Sequence, residues 1–214
     1  TGVAGSNPNG STRPMTFFTP RSGTSGSTLH EFAFMAKGSY GQGDALVTTN
    51  TNSGGYVLSS AGEFRDTTGW YNIHMQYDLN NGTNSEKVKY FVNGTELSYN
   101  TDNRGSFSSF SGIAAGAWTI GDYYNYGYSI NGYIAQWAYV DGYTLAATVF
   151  GESKNGVWIP KDLSSGITWG SAGHLLKFEN ASDLGNDSSG NNNDWSVANM
   201  GTDHQVPDSP TFGE

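Results

Sequence analysis

The sequence contains no cysteine, few basic residues and no long apolar run. Without cysteine, a disulfide framework, thiolate catalysis and Cys-ligated zinc are excluded, so stability must come from burial and backbone hydrogen bonds. Only 10 Lys and Arg stand against 19 Asp and Glu, and the net charge of -9 argues against nucleic acid as a partner, because nucleic-acid affinity comes mostly from clustered basic side chains. No stretch approaches the roughly 18 consecutive apolar residues that would cross a bilayer, so we expect no membrane insertion.

Recognisable catalytic patterns are also missing from the chain. A glycosidase needs two carboxylates facing one groove, and the closest acids, Glu63 and Asp66, would point to opposite faces of a strand. The four His residues have no metal-ligand spacing, and neither G-x-S-x-G nor a Gly-rich phosphate loop occurs. The sequence therefore predicts a protein that is not an enzyme.

Turn-forming and aromatic residues are abundant instead. Gly, Ser, Asn and Thr make up 95 of the 214 residues, and aromatic residues make up 14%. From Met15 onwards, short apolar runs recur with turn residues between them, which is typical of an antiparallel β-sandwich. The only helical candidate, residues 143–152, is long enough for one or two turns. We therefore expect an all-β fold.

Two runs show the alternation of strand side chains. In residues 70–79, one face is predicted to belong to the core, and its residues are Tyr71, Ile73, Met75 and Tyr77. In residues 86–100, the alternation passes through Val88, Tyr90 and Val92 into Asn93-Gly94. Asn-Gly tolerates the positive φ angles of a two-residue turn, so the second run predicts a hairpin.

Charge divides the chain into zones. Residues 1–14 have almost nothing to bury and are predicted to be a flexible leader, and residues 15–178 are predicted to form the β-sandwich domain. Residues 179–214 hold seven of the 19 acids and no Lys or Arg. This acidic, Asn-rich extension is expected to pack on the sandwich or to link to a further module. Because the chain begins with Thr, we expect a fragment or a processed product.

Two surfaces are candidates for ligand binding. The connection 120–133 is crowded with tyrosines, whose rings offer an apolar face to a sugar and whose hydroxyls offer hydrogen bonds; the candidates are Tyr123, Tyr124, Tyr126 and Tyr128. The alternative is that these rings cover a sheet edge or a neighbouring subunit. The second surface is the polar face of the strand at 70–79, with Trp70 and His74, since a concave sheet face is the other usual location for a sugar.

The loop at residues 181–195 is a candidate metal site. It brings Asp183, Asp187 and Asp194 together with several Asn oxygens, and Ca²⁺ takes six to eight oxygen ligands. The spacing differs from that of an EF-hand loop. The alternative is structural, because Asp and Asn side chains also make turns by bonding the nearby backbone.

Several segments resemble one family. GEFRDTTGWYNIHMQYD followed by KVKYFVNGTEL is similar to the central part of laminin-G-like, concanavalin A-like domains. INGYIAQWAYVDGYTL, FGESKNGVWIPKDLS and WGSAGHLLKFENASDLGNDSSGNNNDWSVANMGTDHQVPDSPT resemble, in succession, a module of tail-fibre and other virion proteins of tailed bacteriophages. The resemblance covers most of residues 15–211.

The resemblance implies a jelly-roll sandwich of the concanavalin A-like lectin/glucanase type, with the extension held on its surface by Trp195 and Val197. It also implies a non-enzymatic protein at the virion surface, a tail-fibre or receptor-binding module that recognises a host cell-surface glycan. Other virion subunits would be its partners, and a homo-oligomer, a trimer in fibres, is expected from the resemblance. One alternative is a capsid or tail decoration protein that contacts only virion proteins. A second is a polysaccharide-degrading β-sandwich enzyme.

Overall fold

A computed structural model describes residues 15–21, 30–35, 45–50, 55–62, 64, 66, 68–106, 117–122, 130, 132–207 and 210. The strands of this part of the chain are β1 (Met15–Arg21), β2 (His30–Met35), β3 (Ala45–Asn50), β4 (Gly55–Ser60), β5 (Ile73–Tyr77), β6 (Val88–Val92), β7 (Thr95–Glu96), β8 (Tyr99–Asp102), β9 (Ala117–Ile120), β10 (Trp137–Tyr139), β11 (Gly151–Lys154), β12 (Val157–Pro160) and β13 (His174–Leu176). The helical segments described are single 3-10 turns at Asn84–Glu86, Arg104–Ser106, Ala147–Val149 and Thr202–His204.

The strands form four sheets. The largest has six strands in the order β8-β4-β3-β2-β1-β9, a three-stranded sheet has the order β5-β6-β7, and the strand pairs β10-β13 and β11-β12 make the other two. Pairing in the six-stranded and two-stranded sheets is antiparallel throughout. The all-β, antiparallel class is therefore confirmed, while the sandwich type and the domain boundaries at 14 and 178 stay predictions.

The described residues fall into two compact units. The first takes its residues from Thr1–Gly69, Met75–Tyr90 and Glu96–Gly132, and the second from Trp70–His74, Phe91–Thr95 and Tyr133–Glu214. Among the described residues, no helix is long and apolar enough to cross a membrane.

The first unit has an aromatic core. Phe32 of β2 and Tyr90 of β6 are buried, with ring centroids 5.3 Å apart. Leu58 of β4 and Val88 of β6 are also buried. The burial of Val88, Tyr90 and Val92 with half-exposed residues between them confirms the alternation predicted for this strand.

Arg104 is a buried cation with partners for its donors. Its guanidinium forms two hydrogen bonds to the Asp102 carboxylate, of 2.8 and 2.6 Å, and donates to the carbonyls of Ser85 and Val88. The guanidinium carbon also lies 4.7 Å from the centre of the Tyr99 ring. A buried charge is tolerated when it is paired and hydrogen-bonded, so this contact set ties β8 to the start of β6.

The second unit has a smaller core under its short strands. Leu163, Trp169 and Leu175 form a buried cluster. The half-buried residues Ala138, Val140, Phe150 and Ile167 pack against it. The cluster therefore joins β10, β13 and the irregular segment that precedes β13.

Among the described residues, two Asn-Gly turns close hairpins. Asn93 and Gly94 join β6 to β7 and have φ angles of 49° and 76°. Positive φ at both central residues is what a type I′ turn requires. The predicted hairpin is confirmed. Asn155 and Gly156, with φ angles of 54° and 81°, join β11 to β12 in the same way, although the sequence analysis did not single out that pair.

Two other expectations have different outcomes. The helical candidate at 143–152 is confirmed as a single 3-10 turn, Ala147–Val149, after which β11 begins. The predicted core face of residues 70–79 is wrong. All five residues of β5 are half-buried, whichever face of the strand they lie on, so burial does not distinguish one face as the core. The two kinds of side chain alternate strictly in this part of the sequence. Such alternation predicts different burial of the two faces only where one face of the strand is covered by other residues.

Gly94→Ala and Gly156→Ala form a matched pair for testing the first hairpin. A Cβ on Gly94 would collide with the Trp158 ring, whereas a Cβ on Gly156 would meet open space. Both changes incur the penalty for a left-handed alanine, about 1–2 kcal/mol, and Gly94→Ala should lose a further ~1–3 kcal/mol by overpacking. Urea unfolding measures the difference, and equal losses would contradict the close packing of Trp158 on the turn.

Candidate functional site

The tyrosine candidates lie outside the described residues. This holds for Tyr123, Tyr124, Tyr126 and Tyr128, and also for Glu63 of the acidic pair considered above. The structure therefore leaves the tyrosine surface as a prediction.

His74 is held between aromatic rings. Its imidazole lies 5.3 Å from the Phe91 ring and 4.7 Å from the Phe150 ring, and its Nδ1 has no hydrogen-bond partner among the described residues. Burial lowers the pKa of His74 from the ordinary 6.5 to about 4. Trp70 is half-buried. The predicted second surface therefore includes a neutral, packed imidazole.

The acidic segment begins with a loop that leaves and rejoins the sheet of β10 and β13. The chain leaves β13 at Lys177 and returns at Asp187, which forms a β-bridge with Leu176, while the Ser188 N–H donates to the Leu175 carbonyl at 2.7 Å. We call residues 177–188 the neck loop. Its two ends are thus held side by side, which is the geometry of a compact surface loop with its own internal packing.

The Asp187 carboxylate closes the neck loop. Its Oδ1 accepts hydrogen bonds from the backbone N–H groups of Leu175, at 2.8 Å, and Ser189, at 2.9 Å. Its Oδ2 accepts from the Ser189 hydroxyl at 2.8 Å and from the Asn193 N–H at 2.9 Å. Burial by itself would raise the pKa of Asp187, but these donors outweigh it and lower the pKa below the ordinary value. All four lone-pair positions of the carboxylate are occupied.

The asparagines that follow extend this set of bonds. Asn191 Nδ2 donates to the carbonyls of Gly170 and Gly173, at 2.7 and 2.8 Å. Asn193 Nδ2 donates to the carbonyls of Ser171 and Gly173, at 3.0 and 2.9 Å. Side-chain amides therefore satisfy the carbonyls of a segment that has no strand partner of its own.

Asp194 and Trp195 complete the return of the chain. Asp194 Oδ1 accepts from the Asp187 N–H at 2.8 Å, and the Trp195 N–H donates to the Gly185 carbonyl at 2.8 Å. A Cβ at position 185 would collide with the Trp195 carbonyl, so only glycine allows this approach. The Trp195 ring lies 5.2 Å from the ring of His174. This contact places Trp195 against β13, whereas Val197 is 44% exposed; the packing of the whole extension on a sandwich stays a prediction.

His174 is a neutral residue of this structure. Its Nε2 accepts from the Trp137 indole N–H at 3.2 Å, so its Nδ1 carries the proton and donates to the Ala172 carbonyl at 3.1 Å. Burial lowers its pKa, and the Tyr139 ring stacks on it at 5.5 Å. The imidazole thus acts as a packing element between β10 and the acidic segment.

The three carboxylates proposed for calcium have different surroundings. The oxygens of Asp187 accept hydrogen bonds from N–H and O–H donors, and an oxygen of Asp194 accepts one from a backbone N–H. Asp183 is exposed. Within the described residues, no group of three or more His, Asp or Glu side chains is placed to hold a metal ion. For Asp187 and Asp194, the contacts are those of the structural alternative, in which the side chains bond the backbone.

A pocket of about 180 Å³ opens within the neck loop. It is lined by two acidic residues, two asparagines, a serine, Lys177 and Phe178, all from residues 177–188. Phe178 has a φ of 54°, an outlier for a bulky residue. Asp183 is the one member of this pocket that the sequence analysis proposed as a ligand-binding residue.

The other pocket residues show no spacing pattern in the sequence, so they were not predicted. Glu179, Asn186 and Ser188 meet only through the fold of the loop. The one sign of this pocket in the sequence was that the predicted strand GHLLKF is followed directly by a polar stretch without basic residues.

Comparison of the chain with protein-family models, with curated proteins and with solved structures found no match.

Asp187→Asn should unfold the second unit's acidic segment. The amide keeps one acceptor and turns its NH₂ group toward two of the present donors, so we expect a loss of about 2–4 kcal/mol. Because the pKa of Asp187 is lowered in the folded protein, its contribution is present above the pKa of the unfolded chain and is lost as the pH falls through the folded value. Urea unfolding at neutral pH checks the loss. Asp183→Asn is the control, since that side chain is exposed and should leave the stability unchanged.

His74→Phe should stabilise the protein in mild acid. The folded pKa of about 4 lies below the ordinary 6.5, so the wild-type protein loses stability as the pH falls from 6.5 to 4, whereas phenylalanine cannot titrate. The gain over wild type should grow to about 3 kcal/mol at pH 4. An NMR titration of the imidazole provides the direct measurement, and a midpoint near 6.5 would disprove the burial argument.

Proposed function

We propose that the chain is a non-enzymatic surface protein of a tailed bacteriophage virion, a tail-fibre or receptor-binding module that recognises a glycan on the host cell. The motif resemblance supports this proposal, and so does the way in which the motif residues bond to one another. Asp141, of the D-G motif, accepts from the Ser171 hydroxyl and the Ala172 N–H, both at 3.2 Å. Asn191 and Asn193, which lie in the last of the resembling segments, donate to the carbonyls of Gly170 and Ser171 in the same stretch of chain.

The observation that carries the proposal is the neck loop with its polar pocket. Hydrogen bonds to Asp187 hold the ends of the loop, so that its polar side chains are presented on a fixed backbone. Loops held on a rigid scaffold are the usual position for recognition residues. A glycan site of this size would bind weakly, and many copies on one particle would raise the overall affinity through effective concentration.

Exposed apolar side chains favour the alternative of a decoration protein with only virion contacts. In the second unit, the most exposed of these are Tyr133 at 65%, Val157 at 63% and Met200 at 53%. Single exposed apolar residues are common on monomers, so they support this alternative only if they are buried in an assembly. The position of the chain in an assembled particle decides between the two functions: a fibre tip favours receptor binding, and the capsid lattice favours decoration.

The two carboxylates of the pocket are the feature that favours a polysaccharide-degrading enzyme. Glu179 and Asp183 line the same cavity. However, a general acid in glycoside hydrolysis needs burial that keeps it protonated near neutral pH, and both of these side chains are exposed. The arrangement therefore supports binding better than catalysis.

A glycan array tests the proposed function. The purified chain should bind a restricted set of bacterial surface glycans, and Tyr124→Ala with Tyr126→Ala should abolish binding if the tyrosine surface is the contact, without lowering the unfolding midpoint. Retained binding would instead remove the tyrosines from the site. Absence of binding to every glycan, together with capsid-lattice contacts, would replace the proposal by the decoration function.

A further inference from the structure

We infer that the pocket of the neck loop binds a single ring of an uncharged sugar. This inference rests on the proposed function and specifies its site and its ligand class. Four features of the pocket carry it: the size of the cavity, the free hydrogen-bonding groups, the aromatic ring and the balance of charge.

The cavity limits the ligand to a small one. At about 180 Å³ it lies below the range of roughly 300–1,000 Å³ that holds drug-sized molecules. It opens on the surface between the two ends of one loop. A terminal or side-branch ring of a glycan could enter such a pocket while the rest of the chain stays outside.

Four polar side chains of the pocket are available to a ligand. Asp183 and Asn186 are exposed, and their side chains make no hydrogen bond to another described residue. The Glu179 side chain is likewise exposed, whereas Ser188 is half-buried, and neither side chain makes a hydrogen bond to another described residue. Together they supply two carboxylates as acceptors, one amide that both donates and accepts hydrogen bonds, and one hydroxyl. Adjacent hydroxyls of a sugar, each a donor and an acceptor, match such a mixed set.

Phe178 adds an apolar surface to this polar lining. Phe178 is one of the residues that line the pocket, and it is half-buried. A sugar ring presents an apolar face of C–H groups, which packs on aromatic rings. The left-handed backbone of Phe178 costs about 1–3 kcal/mol and persists only where the surroundings impose it.

The charge of the pocket selects against acidic sugars. It has two carboxylates and one cation, and the Lys177 ammonium already donates to the Ser164 hydroxyl at 2.9 Å. No Lys or Arg follows Lys177 in the sequence. An anionic sugar or a phosphate would therefore meet repulsion without compensating bonds. A calcium ion is the competing ligand, but only two carboxylates face the cavity, and no metal-holding group of three exists among the described residues.

NMR titration of the ¹⁵N-labelled full chain tests the inference. Galactose, mannose and N-acetylglucosamine are added in turn, with glucuronic acid and CaCl₂ as comparison ligands. At least one neutral sugar should shift the backbone amides of residues 178–188 in a saturable way. Asp183→Asn and Asn186→Ala should each weaken its binding about tenfold, because the first replaces a charged acceptor oxygen with an NH₂ donor and the second removes the amide. Both should fold normally, since neither side chain bonds the rest of the protein.

Asp203→Asn is the matched control, since it removes an exposed carboxylate of the same unit outside the pocket. Its binding should equal that of the wild type. Shifts confined to other residues would overturn the pocket while leaving the glycan function intact. Calcium shifting residues 178–188 when no sugar does, equal binding of glucuronic acid, or hydrolysis of a bound oligosaccharide would each overturn the inference. Failure of every sugar and of every glycan on the array would overturn the function as well.

Discussion

The second unit of the molecule depends on one carboxylate. The two oxygens of Asp187 accept four hydrogen bonds, from Leu175, Ser189 and Asn193, and so join β13 to the polar chain that follows it. A hydrogen bond to a charged acceptor is stronger than one to a neutral acceptor. If the carboxylate were removed, the buried N–H donors would be left unpaired and the full penalty for their desolvation would destabilise the fold. This explains how a segment without regular strands or basic residues acquires a defined conformation.

The same bonds account for two acids and two asparagines of the segment. The carboxylates of Asp187 and Asp194 accept hydrogen bonds from backbone N–H groups. The side-chain amides of Asn191 and Asn193 donate to backbone carbonyls. Polar side chains thus replace the strand ladders that usually satisfy a backbone. These Asp and Asn side chains therefore hold their own segment together, and the proposed recognition is assigned to side chains of the neck loop that these bonds do not use.

The first unit relies on a different constraint. There, aromatic packing of Phe32 on Tyr90 is combined with the buried Arg104, whose donors are met by Asp102 and by two carbonyls. Each unit therefore contains a charged group that makes four hydrogen bonds where strands meet irregular chain. In each case the charge fixes one arrangement of the backbone, since any other arrangement would leave it unpaired in a partly buried position.

Local chemistry was readable from the sequence alone. The all-β class followed from short apolar runs between turn residues, the β6–β7 hairpin from Asn93-Gly94, and the anchoring role of Trp195 from one large apolar residue in a polar stretch. These properties depend on neighbours along the chain, which a sequence displays directly. The partial exposure of both faces of β5, the neutral state of His74 and the gathering of Glu179, Asp183 and Asn186 around one pocket were decided by tertiary structure. Each depends on which distant residues cover a side chain, and neither alternation nor composition records that covering.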